Sequence, residues 1–252
     1  MKVRGSSFPV AASIKRRISA RARCPGQLPY VGGYAFTLTD LLIVLAVLSI
    51  LAMVVVAGQA AAKAKSRLAL CSANLGTIDR SVHEYAADHG QKLPGAAIAD
   101  DNRAPWWWYK EDVKRYAGLA GESSPKDAVF ACPEDRGYSD PIPFHASARF
   151  DFSSYVFNGV TFSGLPNVAG LALAAIHQPK RTLLVMEWTA HAPLSWHRSK
   201  TGRANSPFYC DAQSVVGFVD GHVSLIPIYY DGYNAAYTQD PISGYDYQFS
   251  PN

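Results

Sequence analysis

The feature that most constrains this chain is a run of 22 residues, Leu41 to Ala62, without one charged side chain. As an α-helix rising 1.5 Å per residue it would extend roughly 33 Å, against the roughly 30 Å hydrocarbon core of a bilayer. The expected element is a membrane-spanning helix. Two plainer readings meet the same hydropathy: a generic single-pass anchor, or a secretory signal peptide cut near the small residues Ala60, Ala61 and Ala62.

Charge is distributed unevenly about this run. Residues 1–35 carry Lys2, Arg4, Lys15, Arg16, Arg17, Arg21 and Arg23 and no acid, whereas Lys63, Lys65 and Arg67 follow it. The positive-inside bias then places the N-terminus in the cytoplasm and the bulk of the chain outside. Subtracting those seven charges from the formal +4 of the whole chain leaves −3 on the remainder. A slightly acidic bulk offers no electrostatic footprint for nucleic acid, so the basic end reads as a topology or targeting signal.

The edge of the apolar run reads Ala35-Phe36-Thr37-Leu38-Thr39-Asp40-Leu41-Leu42. An acid costs on the order of 2.5 to 3.5 kcal/mol at a bilayer centre, so Asp40 asks for a partner or a function. This stretch resembles the prepilin N-terminus, in which a basic leader ends in a small residue, a Phe begins the mature chain, and an acid lies four residues beyond it. The resemblance implies cleavage between Ala35 and Phe36 by a prepilin peptidase, methylation of the new amine, and a role for Asp40 in assembly. The implied partners are inner-membrane lipid and other pilin-like subunits. The family usually has Gly where this chain has Ala35 and Glu where it has Asp40, and the leader is long for a prepilin.

Beyond the span, Leu68, Cys71, Leu75, Ile78, Val82 and Tyr85 recur at alternating threes and fours, lining one helix face, and Gly90 and Pro94 supply stop signals. A second resemblance starts here, to the pilin-like proteins expanded in planctomycetes and verrucomicrobia. It is carried by Cys71-Ser72-Ala73-Asn74-Leu75, Tyr85-Ala86-Ala87-Asp88, Cys132-Pro133-Glu134-Asp135, Ser154-Tyr155 with Asn158-Gly159, Pro179 with Thr182 and Glu187, and Phe218-Val219-Asp220-Gly221-His222-Val223. Many such proteins have His ten residues before the Asp-Gly pair, where this chain has Cys210; His197 lies upstream. Of the three cysteines in the implied mature chain, the resemblance favours a Cys71–Cys132 disulfide, with three free thiols as the alternative.

Residues 91–252 read as a small, mainly antiparallel β domain. Ser153 to Val160 and Arg181 to Thr189 have strand-like content, and Val215 to Ile226 forms two apolar runs around Asp220-Gly221. That dipeptide predicts a hairpin with a type I′ turn, so Asp220, Gly221 and His222 are a turn motif before they are a metal site. The expected fold class is α+β. A leader (1–35) precedes a helix with a transmembrane half (36–62) and an extracytoplasmic half (63–90), packed on the β domain.

Trp106-Trp107-Trp108-Tyr109 could stack on sugars, but core packing with Val113, Tyr116 and Leu119 is the simpler expectation. The seven histidines show no HExxH or other tight metal spacing, and the nucleophile-elbow, P-loop and dinucleotide motifs are absent. No cofactor, metal or enzymatic activity is expected. Three function classes stand: a structural subunit of a pilus-like or secretion-pseudopilus assembly, a membrane-tethered binding module, and an exported enzyme.

Overall fold

In the computed structural model the long helix α1, Leu38–Asp88, is continuous over 51 residues. The structure describes residues 36–95, 106–138, 142–160, 165–191, 195–197, 212–229 and 240–252. The leader with Ala35, together with Cys210, lies outside them. The chain divides into two units, Met1–Ala52 and Met53–Asn252.

In the first unit, α1 begins directly after Phe36-Thr37, and its side chains are exposed all around the helix. A helix apolar on every side has no soluble face, so its composition suits lipid or a packed assembly of helices. The one hydroxyl deep in this stretch is satisfied locally, since Ser49 Oγ donates to the Leu45 carbonyl at 2.7 Å. The helix is long and apolar enough to cross a membrane.

In the second unit the same helix becomes amphipathic from about Leu68 onward. Cys71, Leu75, Ile78, Val82 and Ala86 are buried, and Leu68 and Tyr85 pack at the margin of the core. The helix stops through a left-handed pair, Gly90 (φ 66°) and Gln91 (φ 63°), with Gln91 N–H bonded to the Ala86 carbonyl at 2.8 Å. That six-to-one bond with a left-handed Gly is the Schellman ending.

The sheet is antiparallel in the order β1 (Tyr155–Phe157), β2 (Leu183–Glu187), β3 (Ala212–Phe218) and β4 (Val223–Ile228). The fold is thus α+β: a long helix with a small antiparallel sheet. All five residues of β2 are buried. Successive strand residues point to opposite faces, so both faces of β2 are covered. α1 contributes one contact surface: Gly76 approaches Val223, and Asp79 lies against Gly217. β1 and β2 are shorter than the apolar runs suggested. Ser153 and Ser154 bend the chain before β1, and a 3-10 turn at Trp188–His191 follows β2.

The aromatic run enters the core. Trp107, Trp108 and Tyr109 are buried, Trp106 packs partly, and only a short helix α2 (Tyr109–Val113) follows. Trp107 packs on Phe144 and Phe150, and its indole N–H donates to the Ser153 carbonyl at 2.8 Å. With three of the four rings buried, the run presents no flat stacking platform for a sugar.

The β3–β4 turn corrects one expectation. Gly221 N–H bonds the Phe218 carbonyl at 2.8 Å, and Phe218 N–H bonds the His222 carbonyl at 3.0 Å. Gly221 has φ 91°, while Asp220 is not among the positive-φ residues. The connection is therefore a type I turn closed by a left-handed Gly, not type I′. A type I′ turn would require positive φ at Asp220 as well; here only Gly221, which lacks a Cβ, occupies that region.

Candidate functional site

Residue by residue, the sequence-derived candidates fall in three places. In the first unit, Phe36 is 74% exposed and Asp40 stands in the first turn of α1. Thr37 and Asp40 satisfy each other. Thr37 N–H and Oγ–H donate to Asp40 Oδ2 at 3.0 and 2.7 Å, and Asp40 N–H donates to Thr37 Oγ1 at 3.2 Å. This is a reciprocal capping box built with Asp in place of Glu. It also places a carboxylate at the positive end of the helix dipole.

In the second unit, Cys71 and Cys132 are joined by a disulfide with Cα atoms 4.9 Å apart across 61 residues of sequence. The segment Cys132 to Asp135 is held by several neighbours. Asn74 Nδ2 donates to the Ala131 carbonyl at 2.8 Å, and Arg67 Nη1 lies 3.3 Å from Glu134 Oε1. Asp135 accepts from Gly137 N–H at 2.9 Å and from Ser154 Oγ–H at 2.7 Å, and it faces His145 Nδ1 at 3.0 Å. Ser154 also accepts the Cys132 N–H at 3.0 Å.

Asp135, His145 and Ser154 share residue types with hydrolytic triads, but the wiring differs. Ser154 is fully buried and gives its proton to the Asp135 carboxylate, and His145 meets the same oxygen through Nδ1. A nucleophilic serine instead hands its proton to a histidine that the acid orients from the far side. The group works as a polar buttress beneath the disulfide loop.

Against the disulfide lies a buried pair the sequence did not single out as a site. Glu187, at the end of β2, is fully buried, and its Oε1 lies 2.8 Å from His197 Nε2 and 3.3 Å from Cys132 Sγ, which as a disulfide sulfur has no proton to donate. Its Oε2 accepts the Val215 N–H at 2.8 Å. One ligand atom from each of Cys71, Cys132, Glu187 and His197 lies within 4.8 Å of the other three. These residues come from four distant segments, so no local spacing signals them. The resemblance touched Glu187 and the two cysteines, and His197 was noted only as a histidine upstream of Cys210; nothing in the sequence joined the four.

The hairpin tip forms the third place. Asp220 and His222 hydrogen-bond each other at 2.5 Å, and Gly221 lies over Asp79 and His83 of α1, where a Cβ would come within 3.9 and 4.0 Å of Asp79 Oδ2 and His83 Nε2. Asp79 is 1% exposed, and neither carboxylate oxygen has a hydrogen-bond partner among the described residues; His83 Nε2 stands 3.8 Å away. Burial pushes the Asp79 carboxyl well above the usual carboxylate range, and the charge of Asp220 acts in the same direction. Burial lowers His83, with Asp220 opposing. Gly217 makes room here, since a Cβ would meet Asp79 Oδ1 at 2.9 Å.

Comparison with known protein families, curated proteins and solved structures finds no match to this chain.

Proposed function

We propose that this chain is a pilin-like structural subunit, anchored in the inner membrane and assembled with others of its kind into a pilus-like or secretion-pseudopilus structure. Residues 1–35 are the cytoplasmic leader, a prepilin peptidase cuts before Phe36, and the β domain stands outside the cytoplasm. The observation that carries the reading is the start of α1. An acid four residues beyond Phe36 closes a capping box with Thr37, and the helix beyond it is apolar on all sides.

Capping the first turn would serve a plain anchor as well; what an anchor alone does not offer is a partner for the carboxylate's charge, whose transfer into lipid is costly. In an assembly the free or methylated amine of Phe36 from one subunit offers that carboxylate an opposite charge, and the apolar faces pack together. The role of the outer domain is read as structural, because Asp135, His145 and Ser154 are engaged in holding the disulfide loop. The reading is tested by intact mass and N-terminal sequencing of the protein purified from membranes. A mature chain that starts at N-methylated Phe36 supports it. A start at Lys63 supports a secretory signal peptide, and an intact Met1 supports a generic anchor; either result overturns it.

A further inference from the structure

We infer that the reduced protein holds a zinc ion at the position of the Cys71–Cys132 disulfide, ligated by the two thiolates, the Glu187 carboxylate and His197 Nε2. The four donor atoms already lie within 4.8 Å of one another. A tetrahedral zinc with bonds of about 2.0 to 2.3 Å needs its donors about 3.3 to 3.8 Å apart. The donor set of two sulfurs, one nitrogen and one oxygen suits zinc by softness and by geometry. Cys71, Cys132 and Glu187 are fully buried and His197 is 9% exposed, so water competes poorly for the ion.

The surroundings are built to hold these ligands. Val215 N–H fixes the second oxygen of Glu187, which leaves Oε1 turned toward His197 and Cys132. The His197 carbonyl accepts from Ser195 Oγ at 2.7 Å, and Arg136 donates to the Ser195 and Trp196 carbonyls at 3.1 and 3.0 Å, pinning the loop that presents the imidazole. Such outer contacts orient metal ligands and tune their affinity. Val215 N–H and Ser214 Oγ account for one oxygen of Glu187, while the other faces His197 and the disulfide, the side on which a metal would lie.

The two states exchange by balanced chemistry. A cellular dithiol supplies two electrons and two protons, becoming a disulfide itself, and the Cys71–Cys132 bond opens to two thiols. Zinc coordination then releases both thiol protons to solvent. In the reverse direction an oxidised dithiol accepts two electrons from the thiolates and two protons from solvent, its own disulfide bond breaks, the Cys71–Cys132 bond re-forms, and zinc leaves because both sulfur ligands are consumed. Metal and disulfide are alternative fastenings of the same loop to α1. This inference rests on the outer domain alone and is independent of the filament reading.

The test uses the full chain in detergent micelles with Cys24→Ala and Cys210→Ala, so that only the two ligand cysteines remain. It is reduced with a phosphine without oxygen and titrated with cobalt and then zinc. The expected result is tetrahedral cobalt bands with a thiolate-to-cobalt charge-transfer band, erased by one equivalent of zinc and absent from the oxidised protein. Replacing both Cys71 and Cys132 with Ser should abolish the charge-transfer band, Cys132→Ser alone should weaken it, and His197→Gln and Glu187→Gln should each weaken zinc binding by about tenfold or more. Circular dichroism is recorded in parallel. A reduced protein that is folded yet shows no thiolate–cobalt band overturns the inference, as does one that stays unfolded at saturating zinc. Binding unchanged by both Glu187→Gln and His197→Gln overturns the four-residue site.

Discussion

Thr37 and Asp40 cap one another at the start of α1, so that one carboxylate oxygen receives both the amide and the hydroxyl of Thr37. This gives Asp40 a local task besides the one proposed in assembly. Asp40→Ala is expected to fray the first turn, at a cost of about 1 kcal/mol in helix stability, and to leave the outer domain folded. Incorporation into assemblies, read by cross-linking in membranes, should fall sharply. Thr37→Val removes the hydroxyl cap but keeps the acid, and should retain incorporation; Asp40→Glu should retain it as well. Normal incorporation of Asp40→Ala would remove the proposed pairing with the Phe36 amine and leave only the cap.

The disulfide closes a loop of 61 residues between α1 and the segment after Phe130. Replacing both cysteines with alanine is expected to lower the unfolding free energy of the oxidised protein by about 2 to 4 kcal/mol, measured by urea denaturation in detergent. The Asn74 and Arg67 contacts remain in that variant and should keep the loop in place. A change under about 0.5 kcal/mol would mean that those polar contacts fasten the loop without the covalent bond.

Asp79 should make stability fall as pH rises. Its folded pKa lies above its unfolded value because burial and Asp220 disfavour the anion. The fold is therefore least burdened below the unfolded pKa of about 3.9, and stability is lost as pH rises through the folded pKa. Asp79→Asn keeps the shape and removes the charge. It is expected to match the parent near about pH 4 and to be more stable by on the order of 1 to 2 kcal/mol at neutral pH. Melting curves of both proteins across that range check the slope; parallel curves would show that Asp79 finds compensation at high pH.

Gly221 is held at φ 91° by two turn hydrogen bonds. Gly221→Ala is expected to cost about 1 kcal/mol or more through the backbone, since an added Cβ would make only ordinary van der Waals contact with Asp79 and His83. Gly221→Asn should recover part of the loss, since Asn tolerates the left-handed region better than Ala. Thermal unfolding of the two variants checks this order.

Much of the architecture was legible from periodicity. The spacing of Cys71, Leu75, Ile78 and Val82 marked the buried face of α1, and Gly90 marked its end. The hairpin was legible from Asp220-Gly221, but its turn type was not, because the same dipeptide can fill the two central positions of a type I′ turn or, as here, the last two positions of a type I turn whose closing Gly is left-handed. Asp79 gave no warning: it occupies a helix position beside the apolar face, and its burial depends on Gly217, 138 residues along the chain. The cluster of Cys71, Cys132, Glu187 and His197 was illegible for a similar reason, since it exists only after the helix, a loop and the sheet have met. Local spacing reports what one element does, and sites assembled from several elements leave little trace in it.

The place where the disulfide meets α1 also decides how the domain bears load. Among the described residues, Cys71 is the first fully buried one of the helix on leaving the apolar half. A pull along the helix axis therefore reaches the domain at a covalent rivet before it reaches the noncovalent contacts of Leu75, Ile78 and Val82. Those packed side chains are shielded from being peeled away one turn at a time. Tension passes instead through sulfur into the Cys132–Asp135 loop and from there, by way of Ser154, to the edge strand β1. Cutting that rivet would turn a part that resists shear as one body into one that unzips from the Cys71 end of its buried helix face.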